Sequence, residues 1–494
     1  MTEQSHSNDA VQLPETPSQT SVVPRASTWG VWALFVACLG ILSLSVWRGY
    51  EWAVPGYVVI DGLTMLMWVV ISFFSGIVHS YSRRYMAGDS HIEGFFGRVL
   101  FFTLAVMVMT AADHALLFVA AWLAMGLTMA SLIGHVRGWE QAQAAASMAR
   151  RYFLVSSGLV AVGLTTLVWT AGTTSLTGIL GQADSLPPRL TLLAVAALAL
   201  AAICQSALFP FHNWLLSSMT APTPASALMH AGFVNAGGIL LTRFAPLFAE
   251  DLAVMSAIVV VGAVSALLGQ ALLLVQPDIK RKLGASTVAQ MGFMILQCGL
   301  GFFAAAITHL ILHGFYKAYL FLSSGATVEG TAPTDSTRAS LGLLGLGVSL
   351  LTAVGGGVLF TTLTGKGLKL DSSVVLTLVV VLTTLHAARD ILRRSKLSPP
   401  LRLVSVPLVV MAAIGVYSVM FNSISALLSS VPMTTAPTEL TVVHGAVAAV
   451  FAAAYLATEL GWHRSSRRLY VALLNLSQPN PDTVLTRKED YNDA

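Results

Sequence analysis

Charge is what this chain has least of. Only 10% of its 494 residues are Asp, Glu, Lys or Arg, against 55% that are hydrophobic. A soluble globular protein carries about 25% charged residues. No single water-soluble core could hide so much apolar side chain, so lipid must be part of the solvent. Cysteine is almost absent as well: Cys38, Cys204 and Cys298 stand far apart in apolar runs, with no CxxC spacing. That excludes a zinc ribbon or disulfide framework and reads as three small buried hydrophobes. The net charge is only +4 and the basic residues are scattered through short loops, which excludes the basic stripe that nucleic acid needs. A cleavable leader is missing too. Residues 1–28 are polar, rich in Ser, Thr, Gln and Pro, and read as a disordered tail. The first apolar run, from Val31 to Val46, has no small-residue cleavage pattern behind it.

What the chain does have is apolar length, with a mean hydropathy of +0.74. A spanning helix needs roughly 20 mostly apolar residues, and that rule predicts about 14 spans. They lie near residues 30–47, 57–80, 95–112, 114–134, 150–171, 190–210, 222–244, 253–275, 281–298, 301–323, 341–361, 373–392, 402–421 and 441–461. The expected organisation is a tail over 1–28, a membrane domain over 29–462 and a polar tail over 463–494. No loop is long enough for a second folded domain. Charge asymmetry tests the count. With the N-terminus placed in the cytoplasm, the far side receives only Arg48, Arg189, Arg243, Lys366 and Lys369, and Lys317 falls inside a span. The remaining 21 of the 27 basic residues share the cytoplasmic side with both tails, a strong positive-inside pattern. The expected fold is therefore an all-α, polytopic membrane helix bundle with both termini cytoplasmic.

Ionisable groups inside spans are costly and normally mark ion or proton routes. The sharpest cluster is THLILHGFYKAYLF, where His309, His313 and Lys317 recur every four residues. That spacing puts them on one helical stripe. Histidine exchanges a proton near neutral pH, and a desolvated lysine moves towards the same range, so the row suits proton relay. The plainer alternative is structural histidines and a snorkelling lysine.

The second cluster is CQSALFPFHNWLLSSMTAPTPASALMHAGFVNAGG. Pro210 falls where a helix should still be running and predicts a break, the device that lines ion sites in transporters. Gln205 lies beside the break. Pro222 and Pro224 open the next span, with His230 two turns in and Asn235 among small residues. A simple kink and a satisfied interhelical histidine are the plainer readings. Asp113, His114, His386, Asp390, His444 and Glu459 sit near span ends and read as interfacial, and Lys280 as an orientation signal.

These segments resemble a known family. FPFHNWLLSSMTAPTPASALMHAG, DIKRKLGASTVAQMGFM and THLILHGFYKAYLFLSSG, with YSRRYMAGD before them, are similar to hallmark segments of the proton-conducting, antiporter-like membrane subunits of respiratory complex I and Mrp antiporters. The resemblance runs over roughly residues 60–325, and several motifs in order make it specific. It implies an antiporter-like fold with a discontinuous helix, and a proton pathway through His230, His309, His313 and Lys317. Two family charges are missing: Trp122 is followed by Leu123 instead of glutamate, and Gln205 stands where the family has lysine. MHAGFVNAGG, WLAMGLTMASL and ARRYFLVS look closest to the DabB subfamily, the membrane subunits of inorganic carbon pumps. That resemblance implies a DabA-like zinc partner similar to β-carbonic anhydrases, with bicarbonate accumulated by coupling CO2 hydration to an H⁺ or Na⁺ gradient. This chain has no Cys/His ligand set of its own, and no cofactor or enzyme activity is expected of it. The alternatives are an energy-coupling subunit of a quinone oxidoreductase, hydrogenase or Mrp-type antiporter, and a membrane scaffold whose relay is partly inactive.

Overall fold

The computed structural model describes residues 22–327, 342–367, 369–394, 398–461 and 466–484. The first 21 and last 10 residues of the expected tails lie outside the described residues. Helix α1 spans Val22–Arg48, so its first turns occupy sequence expected to be tail. A short hairpin, β1 (Trp52–Val54) and β2 (Val58–Ile60), leads into α2 (Gly62–Tyr85). Then come α3 (Ile92–Ala111), α4 (Ala115–Ile133), α5 (Glu140–Ala171) and α6 (Pro188–Gln205). A short helix α7 (Asn213–Ser217) precedes α8 (Thr223–Ala231) and α9 (Ala236–Arg243). The chain continues as α10 (Leu252–Val275), α11 (Ile279–Gly299), α12 (Phe303–Leu322), α13 (Leu343–Thr364) and α14 (Ser373–Arg394). It ends with α15 (Pro399–Leu427), α16 (Val442–Glu459) and a short C-terminal helix α17 (Arg467–Leu476).

Twelve of these stretches, α8 and α9 together counting as one, are long and apolar enough to cross a membrane. Helices α11 and α12 are long enough but less apolar. Lys280, Arg281 and Lys282 open α11, and α12 carries His309, His313 and Lys317. The sequence predicts about 14 passes; twelve helices among the described residues qualify, and α11 and α12 would be the remaining two. The expected splits at Asp113 and near Gly299 are both real turns between helices.

Capping explains many of the boundaries. Asp61, Asp251 and Asp278 each accept backbone N–H groups from the first turn of α2, α10 and α11. Gly172 and Gly365, both left-handed, stop α5 and α13. Helices α10 and α11 form a hairpin so close that a Cβ on Gly269 would stand 2.3 Å from Ala289 N, and one on Gly292 2.3 Å from Ala266 N. Small residues make that approach possible, as is usual between helices in lipid.

The short connections place the helix ends on two faces. One face, called basic below, carries Arg83 and Arg84 at the end of α2 and Lys280, Arg281 and Lys282 at the start of α11. On the opposite face Asp113 is the knot: it accepts from Gly56 N, Ser175 Oγ and Thr177 N. Burial is lopsided. The α8–α9 pass is 94% buried, but α16 only 11%, so α8–α9 is the centre of the bundle and α16 is at its edge.

Candidate functional site

The row on α12 is built as its spacing requires. Four residues of helix rise about 6 Å, and the rings of His309 and His313 are 6.0 Å apart and nearly parallel. One turn on, Lys317 is completely buried. Its Nζ donates to the Leu283 carbonyl of α11 at 2.8 Å and to Ser286 Oγ. The row therefore points into the bundle.

Helix α8 brings the fourth member. His230 is wholly buried, stacked on Phe321 of α12 at 4.4 Å. Its Nδ1 lies 2.9 Å from Thr287 Oγ1, and the Thr287 hydroxyl lies 2.9 Å from the same Leu283 carbonyl that receives Lys317. If the Thr287 proton goes to Leu283, His230 donates from Nδ1 and keeps Nε2 as an acceptor. His230 therefore sits beside Phe321, one turn beyond Lys317 on α12, and shares the Leu283 carbonyl with Lys317 through Thr287. The spatial order is thus His230, Lys317, His313, His309. Order along the chain would have His230 hand on to His309; in space its neighbour is Lys317. Thr287, Ser286 and the Leu283 carbonyl carry no signal in the sequence that would single them out.

Both nitrogens of His313, and Nε2 of His230 and His309, have no protein partner among the described residues. Buried polar atoms of this kind are normally satisfied by water. His309 also borders a cleft of about 440 Å³ between α11, α13, α14 and α15, where Gln297 and Tyr417 face each other and Thr383 and Thr384 add hydroxyls.

The same cleft leads towards a lysine that the sequence presents only as a loop charge. Lys366 follows α13 and is 5% exposed. Its Nζ sits 3.4 Å above the Phe421 ring, with Phe302 at 5.2 Å and Phe360 at 5.9 Å. Nζ has no hydrogen-bond partner among the described residues. Burial pulls its ammonium down from 10.5 to about 7. Phe360 lines the cleft beside His309, and Phe421 stacks on Tyr417. The faint signal in sequence is a lysine between two glycines, Gly365 and Gly367, directly at a span end.

The expected helix break is present but starts earlier than Pro210 suggests. Helix α6 ends at Gln205, and the chain is irregular until α7 begins at Asn213. The Trp214 indole donates to the Cys204 carbonyl, and Phe209 N to Ser265 Oγ, satisfying groups that the break would orphan. Gln205 is 0% exposed. Both of its amide atoms, Ser206 Oγ and both His212 nitrogens have no protein partner among the described residues. No direct hydrogen bond therefore joins the Gln205 amide to the α12 row among the described residues. A second interruption has no counterpart in the expected spans: a 3₁₀ turn at Phe233–Asn235 separates α8 from α9, just past His230. Gly232, at φ −125° and ψ −65°, supplies the non-helical link.

The lesser candidates have structural partners. His114 Nδ1 caps α4 and His444 takes part in a capping box on α16. Glu459 gathers His386, Arg389 and Arg393. Lys280 donates to the Ala221 carbonyl. Trp122 donates to Ser156 Oγ, which donates to Ala201 of α6, so the position next to Leu123 is packed against the broken span.

Comparison with known proteins agrees with this arrangement. Residues 112–365, just over half of the chain, match the family described as NADH:quinone oxidoreductase/Mrp antiporter, TM, and residues 52–96 match the complex I chain 5 N-terminus. The chain is 38% identical over 311 residues to "Probable inorganic carbon transporter subunit DabB1" of Halothiobacillus neapolitanus, covering 61% of this chain and 55% of that protein. It is 35% identical over 324 residues to the DabB counterpart of Bacillus anthracis, covering 64% and 62%. NADH-quinone oxidoreductase subunit L of Mycobacterium tuberculosis is 38% identical over 291 residues, covering 58% and 45%. The match thus spans less than two thirds of these relatives' own lengths. Two solved assemblies share the fold. The Mrp complex of Dietzia sp. DQ12-45-1b matches at TM-score 0.56 and 22% identity, covering 93% of this chain and 51% of that one. The archaeal membrane-bound sulfane sulfur reductase matches at TM-score 0.60 and 16% identity, covering 94% of each. A multi-pass bundle with a broken span and a buried His–Lys row, matched over these residues, belongs to the NADH:quinone oxidoreductase/Mrp antiporter membrane family.

Proposed function

We propose that this chain is the proton-translocating membrane subunit of an inorganic carbon transporter, working with a DabA-like zinc protein in a bacterial cytoplasmic membrane. The observation that carries the relay is the shared Leu283 carbonyl, which joins His230, through Thr287, to Lys317. A histidine can pass a proton only through groups within hydrogen-bond reach or one water away. The Leu283 carbonyl only accepts, so it holds Thr287 and Lys317 side by side, and the proton itself crosses on a water between His230 and Lys317. Protons enter at the broken span near Gln205, pass His230 and Lys317, and move along His313 and His309 to the cleft that leads to Lys366. Passage along the row biases a step in the partner, which supplies the zinc and the CO2 chemistry. The carbon substrate is supported by the DabB relatives.

Carbon-dependent growth and bicarbonate uptake are the test, in a host that depends on this chain and its partner gene. Lys317→Met and His313→Ala should each lower uptake at least ~10-fold at normal membrane levels, because each removes a proton carrier from the proposed row. Unchanged uptake with an intact complex would establish the scaffold reading instead. Affinity purification from the native membrane should bring down the zinc partner. Recovery of a quinone oxidoreductase or hydrogenase would move the chain to the respiratory branch, which the subunit L relative keeps in view.

A further inference from the structure

We infer that the segment Ser466–Val484 is a gate over the broken span, closed in this structure. Ser466 caps α17, and Leu473 is the one side chain of that helix buried in the bundle, against Leu216, Leu272, Val275 and Ala285. Past the helix, three hydrogen bonds hold the segment down. Gln276 Nε2 donates to the Ser477 carbonyl at 2.9 Å, Arg281 Nη1 to Gln478 Oε1 at 3.0 Å, and Asn480 N to Ser217 Oγ at 3.1 Å. Gln276 and Arg281 flank the turn between α10 and α11, and Leu216 and Ser217 belong to α7. The segment therefore roofs the short helix that follows the break, on the basic face.

Beneath that roof lie polar groups that the protein itself does not satisfy. His212, next to α7, is buried with its ring against the Leu476 backbone of the segment, and neither ring nitrogen makes a hydrogen bond of full geometry among the described residues. Ser206 and Gln205, at the end of α6 where the break begins, are likewise buried with side-chain polar atoms unpartnered among the described residues. Buried polar groups of this kind call for water, and α7, on which the segment sits, follows them directly in the chain. The gate is fastened by buried Leu473, Ser477 and Thr483, by the His212 contact to the Leu476 backbone and by the three hydrogen bonds named above. Two of those three use a backbone group of the segment, which side-chain substitution there cannot remove. The helix Arg467–Leu476 itself buries only Leu473, so the segment is among the less-packed elements from which local opening is drawn.

The inference rests on the broken span being the water-filled intake of the proposed relay, so the test reads the gate separately from transport. The reporter is Ser206→Cys in a chain whose native cysteines are replaced by alanine, labelled from the basic face with a charged, membrane-impermeant thiosulfonate. Labelling should be slow in the full chain. It should be at least tenfold faster in Leu473→Asp and in a chain truncated after Gly461, both with the reporter. Equal rates would overturn the inference. Should these variants fail to reach the membrane, the opposite manipulation decides. Cross-linking Ser217→Cys to Asn480→Cys should cut uptake at least fivefold, reversed by reductant, and unchanged uptake in the cross-linked chain overturns the gate. Lys317→Met should lose uptake yet leave labelling of the Ser206→Cys reporter slow, so failure of the relay and failure of the gate are told apart.

Discussion

Thr287 has the least conspicuous side chain in the site, and its substitution is the sharpest test of it. Its hydroxyl connects His230 to the carbonyl that holds Lys317. Thr287→Val keeps the shape and removes both hydrogen bonds, so uptake should fall about tenfold, whereas Thr287→Ser should stay near wild type. Lys366 gives a pH signature. Its ammonium is lowered to about 7 by burial, while the unfolded chain keeps the usual value near 10.5. Between those values the unfolded state holds one more proton, so stability rises with pH across the window and is flat below it. The slope from this residue is at most about 1.4 kcal/mol per pH unit. Thermal melts in detergent between pH 7 and 10 should show a rise in the native chain whose slope becomes shallower by that amount in Lys366→Met. The His–Lys row was legible in sequence because i, i+4 spacing is a property of the letters. The Leu283 carbonyl was not, since a backbone oxygen leaves no mark on a sequence, and Lys366 was hidden because alternation of the spans places it in water.

Among the elements, the ends of α2, α3 and α9 are welded by a buried ion pair that sequence did not connect. Arg243 donates to Asp61, and its second Nη reaches Thr64 Oγ1 at 3.0 Å and the Thr110 carbonyl at 2.8 Å. Removing one partner leaves an uncompensated buried charge, a loss of about 3–5 kcal/mol. Arg243→Gln or Asp61→Asn should therefore lower the melting temperature sharply, and the double variant should recover part of the loss. Recovery would show that the pair, not either residue alone, sets the cost. The helices themselves were readable because twenty apolar residues in lipid have almost no alternative to a helix. Their interruptions were half readable. Pro210 announced a break, but α6 ends five residues earlier, at Gln205, because Trp214 and Ser265 take up the backbone groups released there. The 3₁₀ turn after His230 had no proline to announce it.

At the scale of the whole molecule, the crowding of lysine and arginine on one face predicts an orientation that can be measured. Three passes separate Ser90 from Ser185 and nine more separate Ser185 from Asn475, with α8 and α9 forming a single pass. Odd numbers each time put Ser90 and Asn475 on one side and Ser185 on the other. All three are exposed, so single cysteines there, in a chain without Cys38, Cys204 and Cys298, report their side directly. Positively charged loops are retained in the cytoplasm, so Ser185→Cys should label in intact cells with an impermeant maleimide. Ser90→Cys and Asn475→Cys should label only in inverted vesicles. Labelling of Ser185→Cys and Asn475→Cys from the same side would mean that α11 and α12, the two helices too polar to qualify as spans on hydropathy, do not both cross. If the failing helix were Phe303–Leu322, the His309–His313–Lys317 row would no longer cross the membrane, and the proton route would lose its lipid-enclosed setting.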